Sequence, residues 1–86
     1  MPTYYVQDFT YTNPKTGKTG VSTMYGVEDA HNHAKAAAFT PGAISWLATN
    51  FHWPSASIVS GTFRSAQPAP AGGHLLTWKP ASGTWS

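Results

Sequence analysis

The stretch of this 86-residue chain with the most chemistry-bearing side chains is DAHNHAKAAAF, residues 29–39. It contains His31 and His33, and histidine is a common zinc ligand. In a helix, residues i and i+2 point about 200° apart, so these two imidazoles cannot chelate one ion. Asp29 and His33 share a helix face, but a metal site would need further ligands from elsewhere. We therefore predict surface or interface histidines, with no metal and no other cofactor.

Other catalytic patterns find little support in the sequence. The segment TGKTG at 16–20 partly matches the phosphate-binding motif G-x-x-x-x-G-K-[ST], but Thr12 stands where the first glycine belongs and no helix follows. The chain has no cysteine, and its serines lie in no G-x-S-x-G setting. Three carboxylates leave little for paired acid–base catalysis. We predict that the protein is not an enzyme.

The aromatic residues are the strongest remaining signal, with four Trp, four Tyr and four Phe. Some of them could form a platform on a sheet with cations around it. Such a surface suits a protein interface, where Trp, Tyr and Arg dominate the binding energy. It also suits single-stranded nucleic acid, whose bases stack and whose phosphates pair with cations. A thin core that uses most of the rings is the third explanation. Trp85 belongs to the same platform, and the predicted partner-binding residues are Tyr5, Phe9, Tyr11, Lys15, Lys18, Arg64, Trp78 and Lys79.

Length and charge restrict the class of protein. Residues 1–86 are predicted to form a single domain with a thin core that no disulfide reinforces. A net charge of +2 is too small to indicate nucleic acid by itself. A weakly charged, aromatic-rich surface does little to resist association, so we expect a protein partner or self-association. Because neither a signal peptide nor an apolar run of membrane-spanning length is visible, we expect no membrane contact and a location in the host cytoplasm.

Strands are predicted where β-branched and aromatic residues concentrate between turn residues. The first two would form a hairpin around the Pro/Gly/Lys turn 13–20, and the linker 67–73 would join the last two. The turn-forming residues 80–83 predict a final turn before the short C-terminal segment TWS. The predicted strands cover residues 3–12, 21–27, 56–66 and 74–79.

Two helices are predicted between the second and third strands. The first covers residues 27–39 and is expected to lie flat on the sheet through the stripe Val27, Ala30, Ala34, Ala37 and Ala38. Glu28 and Asp29 would occupy its first turn, where the helix dipole favours negative charge. Thr40 and Pro41 predict the N-cap and first residue of a second helix, 41–51. Its predicted buried face is Ile44, Leu47, Ala48 and Phe51.

The predicted fold class is therefore α+β, with a four-stranded antiparallel sheet and one or two helices on one face, in the order ββααββ. The first strand carries large side chains on both sides. Tyr4 and Val6 lie on one side, and Tyr5, Phe9 and Tyr11 on the other. We expect the latter to face outward, with Lys15 and Lys18 at the rim. If Phe9 belongs to the core, Tyr4 and Val6 become the outward side.

The chain resembles small phage-encoded accessory proteins of ββαββ plan, including some anti-CRISPR proteins. The resemblance rests on Ala30–Phe39, Ile58–Phe63, and a strand with Trp78 that turns at Gly83 and closes on Trp85. The second predicted helix and the linker depart from that plan. The resemblance implies a phage or mobile-element protein that covers a nucleic-acid-binding surface of a host complex. A small single-stranded nucleic-acid-binding protein and a virion or capsid-associated subunit are the alternatives.

Overall fold

The computed structural model describes residues 2–28 and 33–86 and confirms the α+β class. One helix packs on one face of a mixed five-stranded sheet, and a second, two-stranded sheet closes the chain. Among the described residues, no helix combines the length with the apolar character that crossing a bilayer demands. In chain order the elements are β1 (Tyr4–Thr12), β2 (Thr19–Val27), α1 (His33–Asn50), a 3-10 turn (Ser55–Ser57), β3 (Val59–Ser60), β4 (Arg64–Ala66), β5 (His74–Leu76), β6 (Trp78–Lys79) and β7 (Thr84–Trp85).

The predicted N-terminal hairpin is confirmed. β1 and β2 pair antiparallel from Tyr4 opposite Val27 to Thr12 opposite Thr19. The Asn13 side chain begins the turn, because its Oδ1 accepts the backbone N–H of Lys15 at 2.8 Å. Gly17 completes the turn at φ 71°, a conformation that glycine adopts without steric cost.

The predicted four-stranded antiparallel sheet is wrong in strand number and direction. β3 and β4 both pair antiparallel with one edge of β1, whereas β5 pairs in parallel with β2 at the opposite edge. A parallel neighbour requires a crossover connection, and the linker 67–73 crosses the sheet between β4 and β5. Apolar alternation reports which side of a strand is buried and carries no information about strand direction.

Both predicted C-terminal strands are interrupted by hydrogen bonds made elsewhere. In the segment 56–66, residues 61–63 separate β3 from β4: the Gly61 N–H still donates to Asp8 O on β1 at 2.7 Å, but the Gly61 carbonyl accepts from Gln7 Nε2 at 2.9 Å. In the segment 74–79, Thr77 exchanges two backbone hydrogen bonds with Ser86 at 2.9 and 3.0 Å. The chain therefore changes sheets at Thr77, and Trp78 pairs with Trp85 around a turn in which Gly83 has φ 67°. The predicted closing turn is thus confirmed.

The prediction of two helices is wrong, because α1 runs without a break from His33 to Asn50 and contains Pro41. The Thr40 hydroxyl caps no helix and instead donates to Gln7 Oε1 on β1 at 2.6 Å. Proline removes one helical hydrogen bond, that to the Ala37 carbonyl. Pro41 and Ala37 both lie on the exposed side of α1, where water can bind that carbonyl.

The expected stripe is wrong for Val27, Ala34 and Ala37, whereas Ala38 does pack against the core. Val27 ends β2, Ala34 and Ala37 are exposed, and the buried helix face consists of Phe39, Gly42, Ala43 and Leu47. Glu28 precedes the helix, and its N–H donates to Thr3 O at 2.8 Å. Asp29, Ala30, His31 and Asn32 lie outside the described residues.

Trp85 joins the two layers of the core although it is the penultimate residue. Its ring lies 5.9 Å from Tyr5 and 5.4 Å from Phe39, and its Nε1 donates to Lys35 O at 2.8 Å. Glycine is required on both sides of this residue, because a Cβ at Gly26 would stand 2.5 Å from the Trp85 ring and one at Gly42 would stand 2.8 Å from its carbonyl oxygen. The small C-terminal sheet is thereby packed against both α1 and β2.

Candidate functional site

The predicted outward side of β1 is the buried side. Tyr5 is 3% exposed and Phe9 is 0% exposed, and both pack in the core under α1. The placement of Tyr5 and Phe9 on an exposed platform is therefore wrong. Tyr4 and Val6 lie on the opposite side of β1, away from α1. Because both sides of β1 carry large apolar residues, the strand pattern alone could not choose between them.

The other predicted binding residues fall in three separate places. Tyr11 and Lys18 line one cleft near the hairpin turn. Lys15 is an exposed residue of that turn. Arg64 lies on the helix-free side of the sheet, opposite Val6. Trp78 and Lys79 form β6, with the Lys35 ammonium 5.9 Å from the centre of the Trp78 ring. The structure thus divides the predicted platform into a cleft, a sheet face and a small hairpin.

The histidines meet in no metal-ligand cluster within residues 2–28 and 33–86. Across these residues no group of three or more His, Cys, Asp or Glu side chains could hold an ion. His33 is exposed at the start of α1. Asp29 and His31 lie outside the described residues.

The side of the sheet away from α1, here called the open face, carries most of the exposed apolar side chains. Five large apolar residues of the described chain are more than a third exposed, and four of them lie on this face: Val21, Val27, Val59 and Leu75. Val59 and Val21 flank Thr10 on neighbouring strands and are 63% and 66% exposed. Directly opposed side chains in such a ladder are about 5 Å apart, so the three form one continuous row.

A second row of the open face is better covered. Val6 lies between Tyr25 on β2 and Arg64 on β4, and Leu75 extends the row on β5. Gly73 in the linker packs so closely on the Tyr25 ring that a Cβ there would stand 2.8 Å from it. The linker therefore shields part of this row, while Leu75 and the valines stay accessible.

The open face carries little net charge. Arg64 lies 3.6 Å from Asp8, and Asp8 also accepts a hydrogen bond from the Thr23 hydroxyl. Because both side chains of this pair are half-exposed, their attraction contributes little to the stability of the fold, but it orients the Arg64 side chain toward Asp8. An apolar face with one internally paired cation favours contact with another protein surface over contact with a polyanion.

A second surface, here called the aromatic row, runs past the C-terminal end of α1. Its members are Tyr11, Trp53, Phe51, Trp46 and His74. Successive ring centres lie 5.8 Å apart from Tyr11 to Trp53, 5.2 Å from Trp53 to Phe51 and 5.4 Å from Phe51 to Trp46. Phe51 is 37% exposed, so its predicted full burial is wrong.

The aromatic row opens at Tyr11 and Trp53 into a cleft of about 550 Å³. Its wall on the hairpin side is polar and includes Asn13, Thr16 and Lys18. Gly20 makes the cleft possible, because a Cβ there would stand 2.7 Å from the Trp53 ring. This size lies within the range of ~300–1,000 Å³ that small-ligand sites occupy. Sequence reasoning missed the cleft, although three aromatic rings within NFHWPS were a visible signal.

His52 supports the cleft in a left-handed backbone conformation, with φ 58° just after the end of α1. Residues other than glycine are strained in this conformation because of their Cβ atom. We expect His52→Gly to raise the free energy of unfolding by about 0.5–1 kcal/mol in urea denaturation. Asn50→Gly, two residues earlier inside α1, should lower it by about the same amount. A destabilised His52→Gly protein would contradict the left-handed turn.

The two surfaces thus offer different kinds of binding. The open face presents apolar side chains beside the ion pair of Arg64 with Asp8, and the cleft combines aromatic rings with a lysine. Neither surface overlaps the other, because Tyr11 and Gly20 point to the α1 side of the sheet.

No protein-family model, no curated protein and no solved structure matches this chain.

Proposed function

We propose that the protein is a non-catalytic binding protein that acts by protein–protein contact through the open face. The observation that carries this proposal is the concentration of exposed apolar residues there, with Val21, Val27, Val59 and Leu75 all on one side of one sheet. A concentration of exposed apolar side chains on one face is typical of a protein interaction site. Burial of such a patch by a partner removes apolar area from water, which is the main driving force of association.

The charge distribution supports a protein partner for this face. Arg64 on this face is paired with Asp8, and Lys35, which lines a pocket at the edge of the face with Val27 and Leu75, lies 5.9 Å from the centre of the Trp78 ring. A phosphate backbone would gain little from such a surface, since its binding depends on unpaired lysines and arginines. A surface with few charged side chains instead matches the centres of protein interfaces, from which charged residues are depleted.

The role we propose for this contact is occlusion. A small protein that lays one apolar sheet face on a host complex can block that surface without any chemical step. This is the mode of action implied by the resemblance to phage accessory and anti-CRISPR proteins, and it would take place in the host cytoplasm. The alternative of a virion subunit predicts that the same face pairs with further copies of the chain.

The test is a paired-variant capture experiment in lysate of the host cell. Val21→Lys combined with Val59→Lys places two charges on the open face, at positions whose side chains are already mostly exposed. Ala34→Lys combined with Ala37→Lys adds the same charge on the outward side of α1 and serves as the control. We expect the wild type and the control to retain the same protein partner, quantified by mass spectrometry, and the open-face variant to lose at least about tenfold of it.

Three results would contradict the proposal. Equal recovery with both charge variants would show that the open face is not the contact. Recovery that disappears on nuclease treatment would favour the nucleic-acid alternative. Concentration-dependent self-association of the wild type in sedimentation velocity, abolished by the open-face variant, would favour the structural subunit.

A further inference from the structure

We propose that the cleft between Tyr11, Trp53 and the hairpin turn binds a segment of single-stranded nucleic acid. This is a second activity, separate from the protein contact proposed for the open face, because the cleft opens on the α1 side of the sheet. The aromatic rings would stack on the bases, and Lys18 would pair with the backbone phosphate.

The rings of the aromatic row provide the stacking surface. Tyr11 and Trp53 lie at 5.8 Å with an interplanar angle of 40°, so neither ring shields the other with its full face. Trp53 meets Phe51 edge to face at 77°, and Phe51 meets Trp46 at 64°. The row therefore continues from Trp53 to Phe51, which is 37% exposed and can receive a second base, whereas Trp46 packs partly against the hydrophobic core.

The charges around the cleft complement a phosphate. Lys18 lines it, and Lys15 lies in the same exposed turn. Asp8 and Glu28 are the acidic side chains among the described residues, and neither lines the cleft. Asp8 is engaged with Arg64 on the open face, and Glu28 follows the far end of β2. An anionic ligand is therefore attracted here without opposition from either of these two carboxylates.

The remaining lining groups suit the edges of bases and sugars. Asn13 Oδ1 and Thr16 Oγ1 each accept a backbone N–H within the turn, so the Asn13 amide N–H groups and the Thr16 hydroxyl hydrogen are the donors that a ligand in the cleft can use. Such groups recognise nucleotides without a strict sequence preference, and the stacking surface is equally tolerant because every base has an aromatic face. The expected ligand is thus a single strand of any sequence.

The experiment measures fluorescence anisotropy of fluorescein-labelled oligothymidylate and oligouridylate as a function of salt. We expect the wild type to bind with a Kd of about 10⁻⁴ to 10⁻⁶ M. Lys18→Ala should weaken binding and reduce the slope of log Kd against log salt by about 0.7, the value for one phosphate contact in a single strand. Lys79→Ala removes an exposed lysine of β6 that does not line the cleft and should leave both quantities unchanged.

Removal of the stacking ring should have the larger effect. Trp53→Ala is expected to raise the Kd about 5- to 100-fold, in line with the loss of one base–aromatic contact. Because Trp53 also packs on Gly20, Lys18→Glu in the exposed turn provides a variant that should not disturb folding. In an NMR titration, the Trp53 indole and the Gly20 amide should shift, whereas the amides of Leu75 and Val59 should not.

Several outcomes would overturn the proposal. The first is no binding of either strand at low salt. The second is an equal effect of Lys18→Ala and Lys79→Ala, which would place the contact elsewhere. The third is shifts confined to Leu75 and Val59. The fourth is salt-independent binding of a neutral oligosaccharide that Trp53→Ala abolishes, which would identify the cleft as a sugar site.

Discussion

Replacement of Trp85 by alanine is expected to lower the free energy of unfolding by about 3–5 kcal/mol, most of the stability of a domain this small. The indole is 3% exposed, contacts Tyr5, Phe39 and Trp78, and donates to Lys35 O. Its removal leaves a cavity between α1 and β2 and deletes the hydrogen bond from the indole to the Lys35 carbonyl. The measurement is urea denaturation followed by circular dichroism.

Two further variants separate loss of this contact from general disturbance of the C-terminus. Trp78→Ala removes the half-buried partner ring of the same hairpin and should cost only about 1–2 kcal/mol. Gly26→Ala places a methyl group against the Trp85 ring and should cost about 1–3 kcal/mol, but less in a Trp85→Phe protein whose smaller ring leaves room. A Trp85→Ala protein as stable as the wild type would show that the C-terminal hairpin does not close the core.

Replacement of Phe9 by alanine is the second large effect, with an expected cost of about 3–5 kcal/mol. Phe9 is fully buried in the core under α1, so its truncation leaves a cavity that the sheet backbone cannot fill. On the original expectation of an exposed platform, the same change would have left stability unaltered and accelerated dissociation of a partner. Denaturation of the free protein in urea therefore distinguishes the two placements.

Phe51→Ala is the matched control for Phe9→Ala, since it makes the same chemical change just beyond α1. Phe51 is partly exposed and rests on Trp46, Trp53 and His74. Its loss should cost about 1–2 kcal/mol, well below the 3–5 kcal/mol that full burial would imply. The reverse order of the two effects would mean that Phe51, and not Phe9, anchors the helix on the sheet.

Local sequence signals predicted those parts of the fold that depend on neighbouring residues. The hairpin of β1 and β2 follows from two runs of β-branched and aromatic residues on either side of a turn. The Asn13 side chain accepts a hydrogen bond within that turn, and Gly17 adopts the φ of 71° that the turn requires. The closing hairpin follows in the same way from Gly83 between Trp78 and Trp85. Among the predicted site residues, only Tyr11 and Lys18 meet at one cleft, because the hairpin brings their strands together.

Long-range contacts decided the rest. Thr40 and Pro41 are a good helix start in isolation, yet the Thr40 hydroxyl binds Gln7 on β1 and the helix continues past the proline. The tertiary structure likewise decided which side of β1 is buried and that β5 runs parallel to β2. It also decided that the Tyr11 ring packs against the Trp53 ring. The sequence determined its turns and α+β class because these depend on residues a few positions apart. It could not determine which aromatic rings are hidden, since that depends on which surfaces of distant segments pack together.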